Sequence, residues 1–174
     1  MTSASTQPSD SIARDRNIVP PPLHVVLVQP QIPPNTGNVA RLCAATGCAL
    51  HLVEPLGFSI ADRDLKRAGL DYWDAVDLHL HASLDAFLAA WTGPLWLLST
   101  RAARSFAGAP YALGDALLFG KETAGLPQTL LDAHPERSLR VPMRTGPVRS
   151  LNLSTTVGIV TYAALAHLNF PGLR

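Results

Sequence analysis

The chain has 174 residues, of which 47% are hydrophobic and 16% charged, and its formal net charge is +1. This length and composition suit one compact domain with a substantial core and leave little room for a second one. The small net charge excludes a protein that attracts nucleic acid through a global basic field, so any contact with RNA would depend on local clusters of arginine and lysine.

The first 22 residues differ in composition from the rest of the chain. They are rich in Ser, Thr and Pro and contain no continuous apolar run, so they bury too little surface to offset the entropy lost on ordering. We predict a disordered tail over residues 1–22 and a single domain over residues 23–174. Because no secretory signal precedes the domain and no later run approaches the ~20 apolar residues that span a bilayer, we expect a cytoplasmic protein that does not contact a membrane.

After the tail, apolar runs typical of strands alternate with helical patterns. Strands are predicted over residues 23–29, 49–53, 77–80, 95–99, 116–120 and 138–142. Helices are predicted within residues 32–47, 62–69, from 83 onwards, within 126–134 and over 153–168. Several of these strands are apolar throughout, which is typical of a mostly parallel sheet with helices on both faces. The predicted fold class is α/β, with ligands expected outside the carboxyl ends of the strands.

The helix predicted within residues 32–47 carries an arginine on its polar side. Asn35 and Thr36 are expected to cap its first turn, and an apolar stripe then recurs at steps of three and four, at Val39, Leu42, Cys43 and Thr46. Asn35, Asn38 and Arg41 follow one another at steps of three on the other side. That polar line therefore faces either water or a ligand.

The spacing of the cysteines and histidines does not indicate a metal site. Two cysteines, Cys43 and Cys48, are too few for a disulfide framework and are expected as buried thiols. His79 and His81 alternate along a predicted strand, but no carboxylate or thiolate stands at metal-site spacing from them.

The loop FGKETAGLP at residues 119–127 does not match a conventional nucleotide fingerprint. Five residues separate Gly114 from Gly120 where a P-loop has four, and neither a GxGxxG nor a GxSxG pattern is present. Gly120 directly after an apolar strand would nevertheless let the backbone approach a ligand, and Glu122 can anchor a polar group. A turn without any binding role remains the alternative for this loop alone.

The loop VPMRTGPVRSLNLS at residues 141–154 combines basic and small polar side chains. Arg144 and Arg149 can meet phosphate, while Ser150, Asn152 and Ser154 offer hydrogen bonds near the start of the final helix. Taken alone, these residues could equally serve only as turn and cap residues.

Together, three blocks resemble the three motifs of the SPOUT superfamily of RNA methyltransferases, specifically its SpoU-like 2'-O-ribose branch. The blocks are PPNTGNVARLCAATG, LLFGKETAGLP and RVPMRTGPVRSLNLSTTVGIVTY. EPLGF and RAGLDYW further resemble the small TrmL-type enzymes, which methylate the ribose of the wobble nucleotide in leucine tRNAs. The resemblance implies a parallel-sheet domain with a carboxyl-terminal trefoil knot, a rare exception to the rule against knots, and S-adenosylmethionine bound in that knot.

The resemblance also assigns residues. It implies a cofactor pocket made of Leu98, Gly120, Val141 and Ser150, with Ser99, Thr100, Glu122, Met143, Leu151 and Leu153 as contributors. Arg41 takes the position of the family's catalytic arginine, with Asn35 and Asn152 orienting the ribose and phosphate, and no metal is needed. Because a guanidinium stays protonated, we expect Arg41 to clamp the adjacent phosphate and stabilise developing alkoxide instead of acting as a base.

The final helix, apolar nearly all round, predicts a homodimer formed through it, as is also typical of this family. Tyr162 on this helix resembles a family tyrosine near the dimer interface, although it could equally be a packing aromatic.

Two alternatives to a tRNA methyltransferase remain. One is a ribosomal RNA 2'-O-ribose methyltransferase of the same branch; such enzymes commonly carry an additional RNA-binding domain, whereas the catalytic fold uses roughly 150 residues here, so tRNA is the expected substrate. The other is a knotted protein that binds RNA or nucleotide without turnover, which the retained polar residues of the three motifs disfavour.

Overall fold

A computed structural model describes residues 20–59 and 70–174, with residues 70–72 described by their backbone alone. Most of the predicted tail and the helix predicted over residues 62–69 lie outside the described residues. In the described part of the chain, no helix is both long enough and apolar enough to cross a membrane.

Within these ranges, seven strands form one sheet in which every pairing is parallel, in the order β3-β2-β1-β6-β4-β7-β5. The strands are β1 Leu23–Val28, β2 Ala49–Val53, β3 Leu78–His81, β4 Leu95–Leu98, β5 Arg104–Ser105, β6 Asp115–Phe119 and β7 Ser138–Arg140. The helices are α1 Pro33–Thr46, α2 Leu84–Ala90, α3 Gln128–Ala133 and α4 Leu153–His167, with 3-10 turns at Leu70–Ala75 and Pro135–Arg137. The α/β class and all six predicted strands are confirmed. β5 was not predicted, because two residues are too short to carry a hydrophobic period.

Helices cover both faces of the sheet, which explains why its central strands are apolar throughout. α1 and α4 pack on one face, where Cys43 and Val160 join a core with alternate residues of β1. α2 and α3 cover the other face through Phe87 and Leu131. Cys43 and Cys48 are buried free thiols, as expected, and burial raises the pKa of each.

The prediction that Asn35 and Thr36 cap the first helix is wrong. α1 begins two residues earlier, at Pro33, and Ile32 precedes it without any side-chain cap. A proline at the start of a helix is favourable because its φ is already helical and its missing N–H has no partner to lose. Asn35 and Thr36 therefore lie inside the first turn and are buried, which frees the Asn35 amide to contact other parts of the chain.

β7 lies between β4 and β5, although β4 and β5 are consecutive in the chain. Residues 99–103 therefore cross β7 as they join its two neighbours. Hydrogen bonds hold this crossing on both sides, from Ser99 N to Leu139 O at 2.9 Å and from Phe106 N to Arg140 O at 2.9 Å. This arrangement brings the loops after β4 and β7 together at one end of the sheet.

Candidate active site

A cavity of about 680 Å³ opens at the carboxyl ends of β4, β6 and β7. This volume lies within the range of small-molecule sites, and the carboxyl end of a parallel sheet is where such sites form. Every residue that the sequence assigned to the cofactor lines it: Leu98, Ser99, Thr100, Gly120, Glu122, Val141, Met143, Ser150, Leu151 and Leu153. Residues separated by more than fifty positions in the sequence thus surround one space.

Glu122 joins the cavity to the start of α1. One carboxylate oxygen, Oε2, accepts a hydrogen bond from Gln31 N at 2.9 Å, and the other, Oε1, accepts from Ile32 N at 3.2 Å and from Asn35 Nδ2 at 3.0 Å. The anionic side chain thus holds the two residues that precede α1 and the side chain of Asn35 in its first turn, at the end of the helix where the dipole favours negative charge.

Asn35 extends this connection to α4. Its Oδ1 accepts a hydrogen bond from Asn152 Nδ2 at 2.9 Å. Asn152 caps α4, since its own Oδ1 accepts from Ser154 N at 2.9 Å and from Thr155 N at 3.3 Å. Glu122, Asn35 and Asn152 therefore form one hydrogen-bonded chain across the three motifs, and the orientation of each amide is set by its neighbours.

Gly120 is required by a close backbone approach. A Cβ at this position would lie 2.0 Å from the carbonyl carbon of Gly125 and 2.1 Å from Leu126 N. Gly125 in turn has a φ of 71°, in the left-handed region that favours glycine. These two glycines fold the loop back on the end of β6 and so form one wall of the cavity.

Arg41 is the predicted site residue that the structure does not bring to the cavity lining. It is exposed on α1, beyond Asn35 and on the same side as exposed Asn38. Asn35 and Asn152 do line the cavity. Six residues of α1, or somewhat less than two turns, separate Arg41 from Asn35.

The cavity lining includes basic residues that the sequence analysis did not assign to the cofactor. Arg101, Lys121 and Arg149 line it together with Glu122. Arg101 Nη1 donates to Gln128 Oε1 at 2.7 Å, which holds this guanidinium at the rim. Arg101 directly follows Ser99 and Thr100 in the chain, and this position next to two predicted cofactor residues could have indicated that it lines the cavity. An excess of positive side chains at the rim favours an anionic substrate.

Of the two histidines considered as metal ligands, His81 bonds to His51, and His79 Nε2 lies 3.0 Å from Asp77 Oδ1. His51 Nε2 lies 2.9 Å from His24 Nδ1, and its Nδ1 lies 2.9 Å from His81 Nε2. Burial, together with the neighbouring His79, lowers the pKa of His51 to about 3, so the ring is neutral at ordinary pH. Among the described residues, no group of three or more His, Cys, Asp or Glu side chains is arranged to hold a metal ion.

Comparison with known proteins gives the family. Residues 22–162 match the model of the SpoU rRNA Methylase family. A tRNA (cytidine(34)-2'-O)-methyltransferase from Yersinia pestis is 45% identical, over 86% of this chain and 96% of its own length. The enzyme of the same name from Burkholderia cenocepacia is 48% identical, over 86% of this chain and 97% of its own length.

A solved structure agrees with these relatives. It is described as concerning the 2-OH methylation of C/U34 on tRNA, is 50% identical, and superimposes with a TM-score of 0.79 over 84% of this chain and 96% of the other. Residues 22–162, which match the family model, contain all three motifs that surround the cavity. The chain belongs to the SpoU methylase family.

Proposed function

We propose that the chain transfers a methyl group from S-adenosylmethionine to the ribose 2'-hydroxyl of nucleotide 34, the anticodon wobble nucleotide, of tRNA. The observation that carries this proposal is the convergence of the three motifs on one cavity in a chain that is 45% identical to a tRNA (cytidine(34)-2'-O)-methyltransferase over 96% of that enzyme. A cytidine or modified uridine in a leucine tRNA is the proposed target, in the cytoplasm.

The cavity fits S-adenosylmethionine in size and in chemistry. Leu98, Val141 and Leu153 provide apolar walls suited to an adenine ring, and Ser99 and Ser150 provide hydroxyl groups. The folded-back wall at Gly120 presents backbone groups, through which an adenine can be bound without a nucleotide fingerprint. When bound, the cofactor supplies an electrophilic methyl group on a sulfonium ion.

The residues of the chain would bind and orient the RNA. Arg41, on the exposed side of α1, would hold the phosphate next to the target ribose in a bidentate clamp and stabilise negative charge that develops on the 2'-oxygen. Asn35 and Asn152 would fix the position of the ribose, because their amides are already held in the hydrogen-bonded chain with Glu122. The hydroxyl proton would leave to phosphate or water, since the guanidinium cannot accept it.

We also propose that the carboxyl-terminal segment forms a trefoil knot. The support is the crossing of β7 by residues 99–103, fixed by the bonds of Ser99 N and Phe106 N to the backbone of β7. The chain leaving β7 for α4 would pass through the loop made by this crossing.

A homodimer through α4 is the proposed assembly. Val157, Val160, Ala164 and Leu165 on this helix are buried within the chain, whereas Ile159 is 37% and Tyr162 47% exposed. The helix thus has a second apolar face that its own sheet does not cover. A partner subunit on this face would protect it from water and could bring further basic side chains to the RNA.

A ribosomal RNA methyltransferase of the same family is the second candidate, because the family model is described by rRNA methylation. The test is to incubate the protein with total tRNA, ribosomal RNA and isotopically labelled S-adenosylmethionine, and to locate the label by nucleoside and fragment mass spectrometry. We expect 2'-O-methylated nucleotide 34 in leucine tRNA. Label confined to ribosomal RNA, or label on a base instead of the ribose, would contradict the proposal.

A further inference from the structure

Two arginines outside the cavity share one buried aromatic ring. The guanidinium carbon of Arg104 lies 5.5 Å from the centre of the Trp96 ring, and that of Arg137 lies 4.9 Å from the same centre. Trp96 is only 1% exposed, whereas Arg104 is exposed and Arg137 half-buried. Both cations therefore pack against one ring of the core and reach the surface.

The positions of these cations are fixed by several contacts. Trp96 Nε1 donates to Asp115 Oδ2 at 2.7 Å, which fixes the ring, and Arg104 Nη1 donates to Glu136 O at 3.3 Å. Stacking of a planar guanidinium on an indole limits its motion further. An anion that binds here would therefore meet guanidinium groups that are already ordered, so less entropy is lost on binding.

Neither arginine has a carboxylate partner at the surface. Among the described residues, no acidic side chain forms a salt bridge with Arg104 or Arg137. Asp115 accepts a hydrogen bond from the indole N–H and is 1% exposed, so its charge is not presented at the surface. Glu136 is exposed and precedes Arg137 in the chain, but its carboxylate forms no salt bridge with either guanidinium. An anion that binds here would therefore meet two positive charges that no ion pair neutralises.

The pair lies toward the amino ends of β4 and β7, whereas the cavity lies at their carboxyl ends. Arg137 directly precedes β7, Trp96 is the second residue of β4, and Arg104 is paired in register with Leu139 of β7. These strands are only four and three residues long, or about 10–13 Å. An RNA stem-loop whose loop enters the cavity could therefore also contact Arg104 and Arg137 with its backbone.

We propose that Arg104 and Arg137 form a phosphate-binding site that holds the substrate RNA backbone outside the cavity, an inference that rests on the proposed tRNA substrate. RNA suits the pair better than an acidic peptide does, because two ordered guanidinium forks match phosphate oxygens in a bidentate manner and the backbone repeats its charge at regular intervals. Such a contact positions the RNA without reading its sequence.

The test measures RNA binding by fluorescence anisotropy with a labelled anticodon stem-loop at several salt concentrations. Single variants Arg104→Gln and Arg137→Gln should each bind about threefold to tenfold more weakly, and the double variant more weakly still. The plot of log affinity against log salt should lose a slope of about 0.7 for each phosphate contact that is removed. With full-length tRNA, the double variant should show a raised KM and an unchanged kcat.

Arg174→Gln is the matched control, since it removes one exposed arginine from the carboxyl terminus and should change affinity less than twofold. Circular dichroism and thermal unfolding of each variant establish that it is folded at the assay temperature. The double variant Arg104→Lys/Arg137→Lys keeps both charges and should retain most of the salt slope, which a purely structural role of the arginines would not predict.

Three outcomes would overturn the phosphate site. They are unchanged affinity and slope in the Gln double variant, an equal loss in Arg174→Gln, and dependence on the two arginines for binding of a polyglutamate peptide but not of RNA. Failure of the proposed function is distinguishable. If the wild-type protein binds RNA through both arginines yet methylates no tRNA, the enzymatic proposal fails and the phosphate site stands.

Discussion

Replacing Glu122 with glutamine tests whether this carboxylate holds the start of α1. The change keeps the shape of the side chain and removes its charge. The wild-type carboxylate accepts hydrogen bonds from Gln31 N, Ile32 N and Asn35 Nδ2, at 2.9, 3.2 and 3.0 Å. A glutamine has only one acceptor oxygen, so its amino group would face at least one of these donors and lose that bond.

The expected loss follows from the three contacts. Hydrogen bonds to a charged group contribute roughly 1.5–3 kcal/mol and neutral ones roughly 0.5–1.5. Because Glu122 is half-buried, solvent screens part of this difference, and we expect the free energy of unfolding to fall by about 2 kcal/mol. For a chain of this length that corresponds to a fall in Tm of about 4–8 °C.

The assay is thermal or urea unfolding of Glu122→Gln beside Glu136→Gln, whose exposed side chain makes no hydrogen bond among the described residues. The control should stay within about 0.5 kcal/mol of the wild type. Calorimetry should show weaker binding of S-adenosylmethionine, because Glu122 lines the cavity, and kcat should fall at least about tenfold because Asn35 is no longer oriented. An unchanged Tm would refute the role of Glu122 at α1.

Three further changes test other parts of the site and core. Arg41→Lys keeps the charge but loses the fork geometry, so methyl transfer by the folded variant should fall at least about a hundredfold; near-normal turnover would exclude the clamp. Gly120→Ala places a Cβ 2.0 Å from the carbonyl carbon of Gly125, so it should abolish cofactor binding in calorimetry and lower Tm by more than Gly146→Ala, whose added Cβ has no atom within 4 Å. Burial lowers the pKa of His51 in the folded chain to about 3. Below about pH 6.5 the His51 ring binds a proton in the unfolded chain but not in the folded one, so the free energy of unfolding should fall as the pH is lowered from about 6.5 to 3. Urea midpoints of His51→Phe should fall less steeply over that range, and parallel curves would contradict this assignment.

The parts of the fold that could be predicted are those set by local pattern. The strands were predicted correctly because a parallel strand buried between two layers of helices is apolar at successive positions, as β1 and β6 are. Ser83 was correctly predicted to begin α2, where its hydroxyl accepts from Ala86 N. These features depend on contacts within a few residues.

The features that escaped prediction depend on partners far apart in the sequence. The start of α1 is held by Glu122, about ninety positions away in the sequence. Local capping preferences therefore predicted Asn35 and Thr36 as cap residues wrongly. Likewise, the contact of Arg104 and Arg137 with Trp96 joins β5, a 3-10 turn and β4. No periodicity marks such a contact, since each arginine in the sequence resembles any exposed arginine.

The site residues were reached through a resemblance of motifs, because spacing alone could not bring three distant loops together. The register of the strands supplies what the sequence lacked: β4, β6 and β7 end at the same level, so Leu98, Gly120 and Val141 meet at one cavity. Arg41 remains the residue whose role depends most on bound substrate, since it lies outside that lining.

The decisive measurement is a crystal structure of the protein with S-adenosylmethionine. We expect electron density for the cofactor in the cavity between Leu98, Gly120, Val141 and Ser150, with the Glu122–Asn35–Asn152 hydrogen bonds intact. Density for the cofactor at another position, or an empty cavity at saturating cofactor, would contradict it.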